Sequence, residues 1–243
     1  MNSERIIRFS MLGFFLVLLS SCDSGNEKSW STKKEKQDPY RCGLLGPYEF
    51  KINKDYLFFW PTYEGRSDWE NNSPPPTSCN KKISTIRMEV YFPEMLPAGR
   101  LPIENDPNLA HSSISINLVG KLDTWDLRRH LDYLLQQDFT KMESITERSK
   151  DIGLYHHRGR DSTFGDLEAD YFWDYDGETV SLLIDCSPIK NGMATYCVQM
   201  QYMPSMHALI KTRYHSERLA LWREISRQTI EFVRDHSNLK EQK

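Results

Sequence analysis

Two runs of alternating side chains, residues 167–175 and 179–186, are separated by Asp176-Gly177. A two-residue Asp-Gly loop favours a type I′ turn, whose twist matches that of antiparallel strands, so the segment predicts a β-hairpin. The loop also sets the register, because side chains on a strand repeat every second residue. With 176 and 177 as the loop, Trp173 faces Val180, Tyr171 faces Leu182, Ala169 faces Ile184 and Leu167 faces Cys186. All four pairs are apolar. The opposite face then carries Glu168, Asp170, Asp174 and Asp185, together with Phe172 and Leu183.

Asn191-Gly192 predicts a second turn of this kind, leading into a strand over 195–203. A two-residue loop there places Cys186 directly across from Cys197, but it also puts Gln199 and Gln201 on the apolar face, and Pro188 cannot donate a ladder bond. Either a bulge or longer loop shifts the register, or both faces of the sheet are covered. Upstream, Ile86, Met88, Val90 and Phe92 alternate with polar neighbours, as do Ile114, Ile116 and Leu118, which is the period of half-buried strands. Further strands are expected over 56–60, 152–158 and 207–214, the first being the apolar run Tyr56-Leu57-Phe58-Phe59-Trp60 stopped by Pro61.

Two helices complete the reading. The first is capped by Asp123 or Thr124, has Asp126 in its first turn, and carries a stripe of Trp125, Leu127, Leu131, Leu134 and Leu135. The second follows Ser216 to about His236, with Leu219, Leu221, Trp222, Ile225, Thr229, Phe232 and Val233 as its apolar side. Helices that interrupt and follow an antiparallel sheet define an α+β class with helices packed on the sheet. The element order looks like that of the Mog1/PsbP-type αβα sandwich.

The N-terminus has a different character. Arg5 and Arg8 precede an apolar run over 9–19 and two small serines, the layout of an export signal. That run is about half the roughly 20 residues a spanning helix needs. Leu19-Ser20-Ser21-Cys22 resembles the lipobox of bacterial lipoproteins. The resemblance implies cleavage before Cys22, acylation of Cys22 and durable attachment through several acyl chains. Asp23 is similar to the signal that retains such proteins in the inner membrane of enteric bacteria, on the periplasmic side. The division expected is a signal peptide over 1–21, a polar, lysine-rich tether over 22–40 and one α+β domain over 41–243. About 18 residues of coil span roughly 20–25 Å.

Export bears on the other cysteines. Cys42, Cys79, Cys186 and Cys197 are an even set, which in an exported chain reads as two disulfides with three possible connectivities. No Cys-x-x-Cys pair or nearby histidine supports zinc. Cys186 with Cys197 follows from the Asn191-Gly192 turn. Cys42 with Cys79 then closes the proline-rich segment around Pro74-Pro75-Pro76 onto the domain.

Charge and composition exclude several functions. Cleavage before Cys22 removes Glu4, Arg5 and Arg8 and takes the formal net charge from −3 to −4, which offers no basic field for nucleic acid. A mean hydropathy of −0.62 excludes an integral membrane protein. The sequence has no Gly-x-Ser-x-Gly elbow, P-loop, dinucleotide fingerprint or His-Glu-x-x-His helix, and no cofactor or metal is expected. His156 and His157 are adjacent on a strand and so point to opposite faces. Asp174-Tyr175-Asp176-Gly177-Glu178 is too short for an EF-hand and suits a hairpin turn. The stripe of Glu168, Asp170, Phe172 and Asp174 sets an aromatic among carboxylates, a pattern suited to docking a protein partner; a solvated sheet face and a carboxylate pair for glycoside hydrolysis are the other readings of it.

An anchored, disulfide-stapled α+β domain with these features is similar to the immunity lipoproteins of type VI secretion systems, most clearly over Leu219-Ala-Leu-Trp222-Arg-Glu-Ile225. The resemblance implies a non-enzymatic periplasmic protein that covers the active site of a cognate secreted toxin, often a phospholipase. No motif of that family assigns a functional residue. The alternatives are a structural or assembly lipoprotein of a cell-envelope complex and a periplasmic hydrolase.

Overall fold

The computed structural model describes residues 39–65, 78–98, 113–120, 126–137, 141, 145–161, 167–187, 189–190 and 193–238. The chain divides into two units, 1–37 and 38–243, and the described residues belong to the second. In chain order the strands are β1 (Tyr40–Leu45), β2 (Tyr48–Asn53), β3 (Thr62–Tyr63), β4 (Ile83–Tyr91), β5 (Leu96–Pro97) and β6 (Ser113–Gly120), followed by helix α1 (Leu127–Gln136). Then come β7 (Tyr155–Asp161), β8 (Leu167–Asp176), β9 (Thr179–Cys186), β10 (Ile189–Lys190), β11 (Met193–Ala194), β12 (Tyr196–Met203), β13 (Ala208–His215) and helix α2 (Trp222–Asp235).

Nine strands form one antiparallel sheet in the order β3-β4-β6-β13-β12-β9-β8-β7, with β5 also on β4. Hairpins β1-β2 and β10-β11 stand apart from it. Both faces are covered. On one, Trp222, Ile225, Phe232 and Val233 of α2, with Leu45, Phe50 and Ile52 of the β1-β2 hairpin, pack on Ile86, Met88, Val90, Ile114, Ile116, Leu118, Ile184 and Ile210. On the other, Leu127, Leu131, Leu134 and Leu135 of α1 pack on Ala169, Tyr171, Trp173, Val180, Leu183 and Met200. Each such aliphatic side chain contributes about 1.5–3 kcal/mol relative to exposure. The result is the expected α+β class, an antiparallel sheet with two helices and two disulfides.

Covering both faces resolves the conflict over β12. Gln199 is fully buried on the α2 side, where its Oε1 accepts from the Tyr214 hydroxyl at 3.1 Å and its Nε2 donates to the Trp222 carbonyl at 3.4 Å. Gln201 accepts from the Ser226 hydroxyl. Val198 and Met200 join the α1 side. The two glutamines therefore fasten α2 to the sheet instead of facing water.

Several expectations need correction. The β8-β9 turn is Gly177-Glu178, with Asp176 opposite Thr179 and Gly177 at φ +60°, and the register shifts again between Asp174 and Tyr175. Trp173 consequently faces Leu183 and Phe172 faces Ile184, which moves Leu182 and Ile184 to the α2 side. Glycine at the first turn position takes the positive φ with no Cβ penalty, so it outcompetes Asp176 for that place. In α1 the cap is Asp126, whose carboxylate accepts from the Arg128 N–H at 2.8 Å. Asp123, Thr124 and Trp125 lie outside the described residues. Residues 216–221 form a 3-10 turn before α2, and Leu221 is exposed. Residues 56–60 do not form a strand. Tyr56 ends a 3-10 turn, Leu57 makes one bridge to Met88, and Phe58, Phe59 and Trp60 are exposed.

The expected disulfides are both present, Cys42 with Cys79 and Cys186 with Cys197. Cys197 lies directly across from Cys186 in the sheet, as the Asn191-Gly192 reading requires.

Candidate functional site

Alternation along β8 turns Glu168, Asp170, Phe172 and Asp174 to the α2 side of the sheet, and β7 sets His156 opposite Phe172, Arg158 opposite Asp170 and Arg160 opposite Glu168. Arg158 grips Asp170 with both arms, Nε to Oδ1 at 2.9 Å and Nη2 to Oδ2 at 2.8 Å. His156 Nε2 lies 2.8 Å from Oδ1 of the same carboxylate, and its ring stacks on Phe172 with centroids 4.5 Å apart. Arg148 donates to Asp174 at 2.6 Å. Burial alone would raise the Asp170 pKa, but the His156 and Arg158 hydrogen bonds and the Arg158 charge outweigh it and hold the group at about 2.

Two of the stripe's three carboxylates, Asp170 and Asp174, are therefore held by arginines of the same chain. Glu168 is exposed, Asp170 and Asp174 are partly buried, and Phe172 is buried. His156 belongs to this cluster, whereas His157 pairs with Tyr171 on the other face, as strand geometry demands. Asp174 to Glu178 forms the end of the hairpin. Cys22 lies outside the described residues. Among the described residues no group of three His, Cys, Asp or Glu side chains stands close enough to hold a metal ion, and no helix is long and apolar enough to cross a membrane.

A second cluster was not foreseen. On the α1 side, one row across the sheet runs Arg87, Asn117, Lys211, Met200, Leu183, Trp173, and the next runs Glu89, Ser115, Arg213, Val198, Asp185, Tyr171. Leu183, Met200, Tyr171 and Trp173 meet α1, while the β4-β6-β13 half is polar. Burial raises the Glu89 pKa, opposed by the Ser115 hydrogen bond and the charge of Arg213. Burial lowers His130 of α1, and the Lys211 charge lowers it further; Lys211 is itself lowered by burial. Glu89, His130 and Lys211 thus all have the charged form disfavoured by burial on this half-face. Arg87 and Glu89 read in sequence only as the solvent side of β4. The row forms because β13 pairs with β6 from far downstream in the chain, and no local pattern encodes that.

No protein-family model matches the chain, and no curated protein matches it in sequence. A solved structure similar in fold is an immunity protein of the Stenotrophomonas maltophilia type IV secretion system. The two share a TM-score of 0.53 at 14% sequence identity, over 83% of this chain and 94% of that one. At that identity the likeness is one of fold.

Proposed function

We propose that this chain is an immunity protein that works outside the cytoplasm by binding and occluding a cognate toxin. The single observation that carries the reading is the fold likeness over nearly the whole length of a secretion-system immunity protein. Two disulfides agree with an oxidising compartment. The finer parts of the proposal come from the sequence: a lipid on Cys22, retention at the periplasmic side of the inner membrane through Asp23, a type VI effector such as a phospholipase as the toxin, and Mog1/PsbP-type layering. No enzymatic step is assigned to the chain.

The proposed toxin-facing stripe is Glu168, Asp170, Phe172 and Asp174. Because Arg158 and Arg148 already hold two of its carboxylates, reversing those would disturb the fold as well as any interface. Glu168→Lys is the clean probe, since Glu168 is exposed. An interfacial charge that meets a basic toxin residue should cost at least tenfold in affinity when reversed, about 1.4 kcal/mol or more. Unchanged affinity would remove this stripe from the interface.

The decisive experiment is affinity capture of the full chain from its native host under non-reducing conditions, paired with deletion of its gene. Recovery of a secreted hydrolase, and poisoning of the deletion strain by its siblings, is the expected result. Recovery of envelope scaffold proteins alone, with no self-poisoning, would sink the immunity reading in favour of an assembly role.

A further inference from the structure

The run Phe58-Phe59-Trp60 has the composition of a core strand, yet it lies at the surface with 48%, 55% and 44% of each residue exposed. The exposure is built in. Leu57 and Pro61, which bracket the three, are buried, and the Phe58 N–H donates to the Arg87 carbonyl at 3.2 Å. Phe58 and Phe59 meet edge to face with centroids 4.5 Å apart, so the rings form one projecting unit. A contiguous apolar projection on a polar chain marks an interaction site.

Its surroundings indicate what it meets. The Arg41 guanidinium lies 4.2 Å over the Trp60 ring, and Tyr40, the residue before Arg41, is itself 41% exposed. Tryptophan and phenylalanine with an arginine seated on the tryptophan suit the boundary between headgroups and acyl chains, where rings bury and the cation meets a phosphate. Asp55 and Glu64 lie on the same segment, so ring burial rather than net charge supplies the attraction. The chain also enters the fold at Tyr40, next to Arg41, and the sequence places only residues 23–39 between this point and Cys22.

We infer that Phe58, Phe59 and Trp60 form a tip that rests in the surface of the lipid bilayer, giving the anchored domain a second, non-covalent contact and a fixed orientation. The inference rests on the membrane anchor of the proposed function. A tether alone leaves the domain free to tumble. A tip beside its root turns the opposite end of the domain outward.

The test uses the full chain purified from producing cells and placed in vesicles of phosphatidylethanolamine and phosphatidylglycerol, with or without bromine on the acyl chains. The difference between the wild-type and Trp60→Phe spectra isolates Trp60. Its emission should fall about twofold in the brominated vesicles, as for a ring roughly 5–10 Å into the interface. The fall should vanish in Phe58→Ser/Phe59→Ser, whose melting temperature should match the wild type because the rings are exposed. Equal Trp60 emission in both vesicles overturns the inference. So does a double variant that keeps the quenching but loses its protein partner, which would assign the tip to that partner. Mass spectrometry of Cys22 reads the anchor separately: an unmodified cysteine would refute the anchor while leaving the Trp60 measurement valid for the tip.

Discussion

Two carboxyl groups on opposite faces of the sheet should respond to pH with opposite sign. Asp170 is held at about 2 by His156 and Arg158 against its burial, below the roughly 3.9 of an unfolded aspartate. A depressed folded pKa stabilises above the unfolded value and loses that contribution as pH falls through the folded one. Asp170 is 16% exposed but its partner Arg158 is 53% exposed, so solvent screens the pair from one side. After that discount, Asp170→Asn should cost about 1 kcal/mol at pH 7. In urea titrations the gap to wild type should close between about pH 4 and pH 2, and a gap constant with pH would refute the assignment. Glu89 is the reverse case, since burial raises it despite Ser115 and Arg213. A raised folded pKa contributes stability that is present below the unfolded value, near 4.3, and is lost as pH rises through the folded one. Glu89→Gln should therefore melt above wild type at pH 7 and together with it below about pH 4. A lower melting point at pH 7 would mean that the Arg213 attraction outweighs burial.

At the scale of elements, β12 is where local pattern and tertiary packing part company. Its two glutamines sit at core positions because α2 brings the Trp222 carbonyl and the Ser226 hydroxyl to them. Removing Gln199 as Leu, or the Tyr214 hydroxyl as Phe, leaves a buried polar partner unpaired and should cost about 1–3 kcal/mol each. The double variant should lose clearly less than the sum, by on the order of 1 kcal/mol in a thermodynamic cycle; additive losses would show that the 3.1 Å bond between them carries no coupling. The same strand shows what is legible in a sequence of this kind. Period-two runs placed β4, β6, β9 and β12 closely, and the Asn191-Gly192 turn placed Cys186 opposite Cys197. The β8-β9 register was missed because Asp and Gly compete for a turn position that only the positive φ decides, and because a bulge between Asp174 and Tyr175 leaves no mark in composition. The 56–60 run misled for a different reason. Hydrophobicity signals burial only when the protein itself supplies the cover, and here Phe58, Phe59 and Trp60 face outward. Within the acidic stripe, the alternation put four side chains on one face, but the arginines that hold Asp170 and Asp174 come from β7 and from Arg148, whose positions depend on sheet order.

Over the whole molecule, the two disulfides restrain different kinds of freedom. Cys186–Cys197 joins neighbouring paired strands across a separation of 11 residues, where the ladder already holds the register. Cys42–Cys79 spans 37 residues and ties β1 to the start of β4, so it retains the β1-β2 hairpin whose Leu45, Phe50 and Ile52 line the core under α2. Loop-closure entropy assigns about 3 kcal/mol to the shorter loop and about 4 kcal/mol to the longer. The packing difference acts in the same direction, because a loosened hairpin uncovers apolar surface whereas a loosened Cys186–Cys197 pair stays inside a formed sheet. Cys42→Ala/Cys79→Ala should therefore lower the urea midpoint more than Cys186→Ala/Cys197→Ala. It should also give a steeper loss of α2 than of sheet signal, since Phe232 and Val233 pack in the core that the hairpin completes. Reducing agent added to the wild type removes both cross-links and should shift the midpoint more than either variant. If the Cys186–Cys197 variant proves the weaker, the sheet centre depends on its cross-link and the hairpin is held by apolar contacts alone.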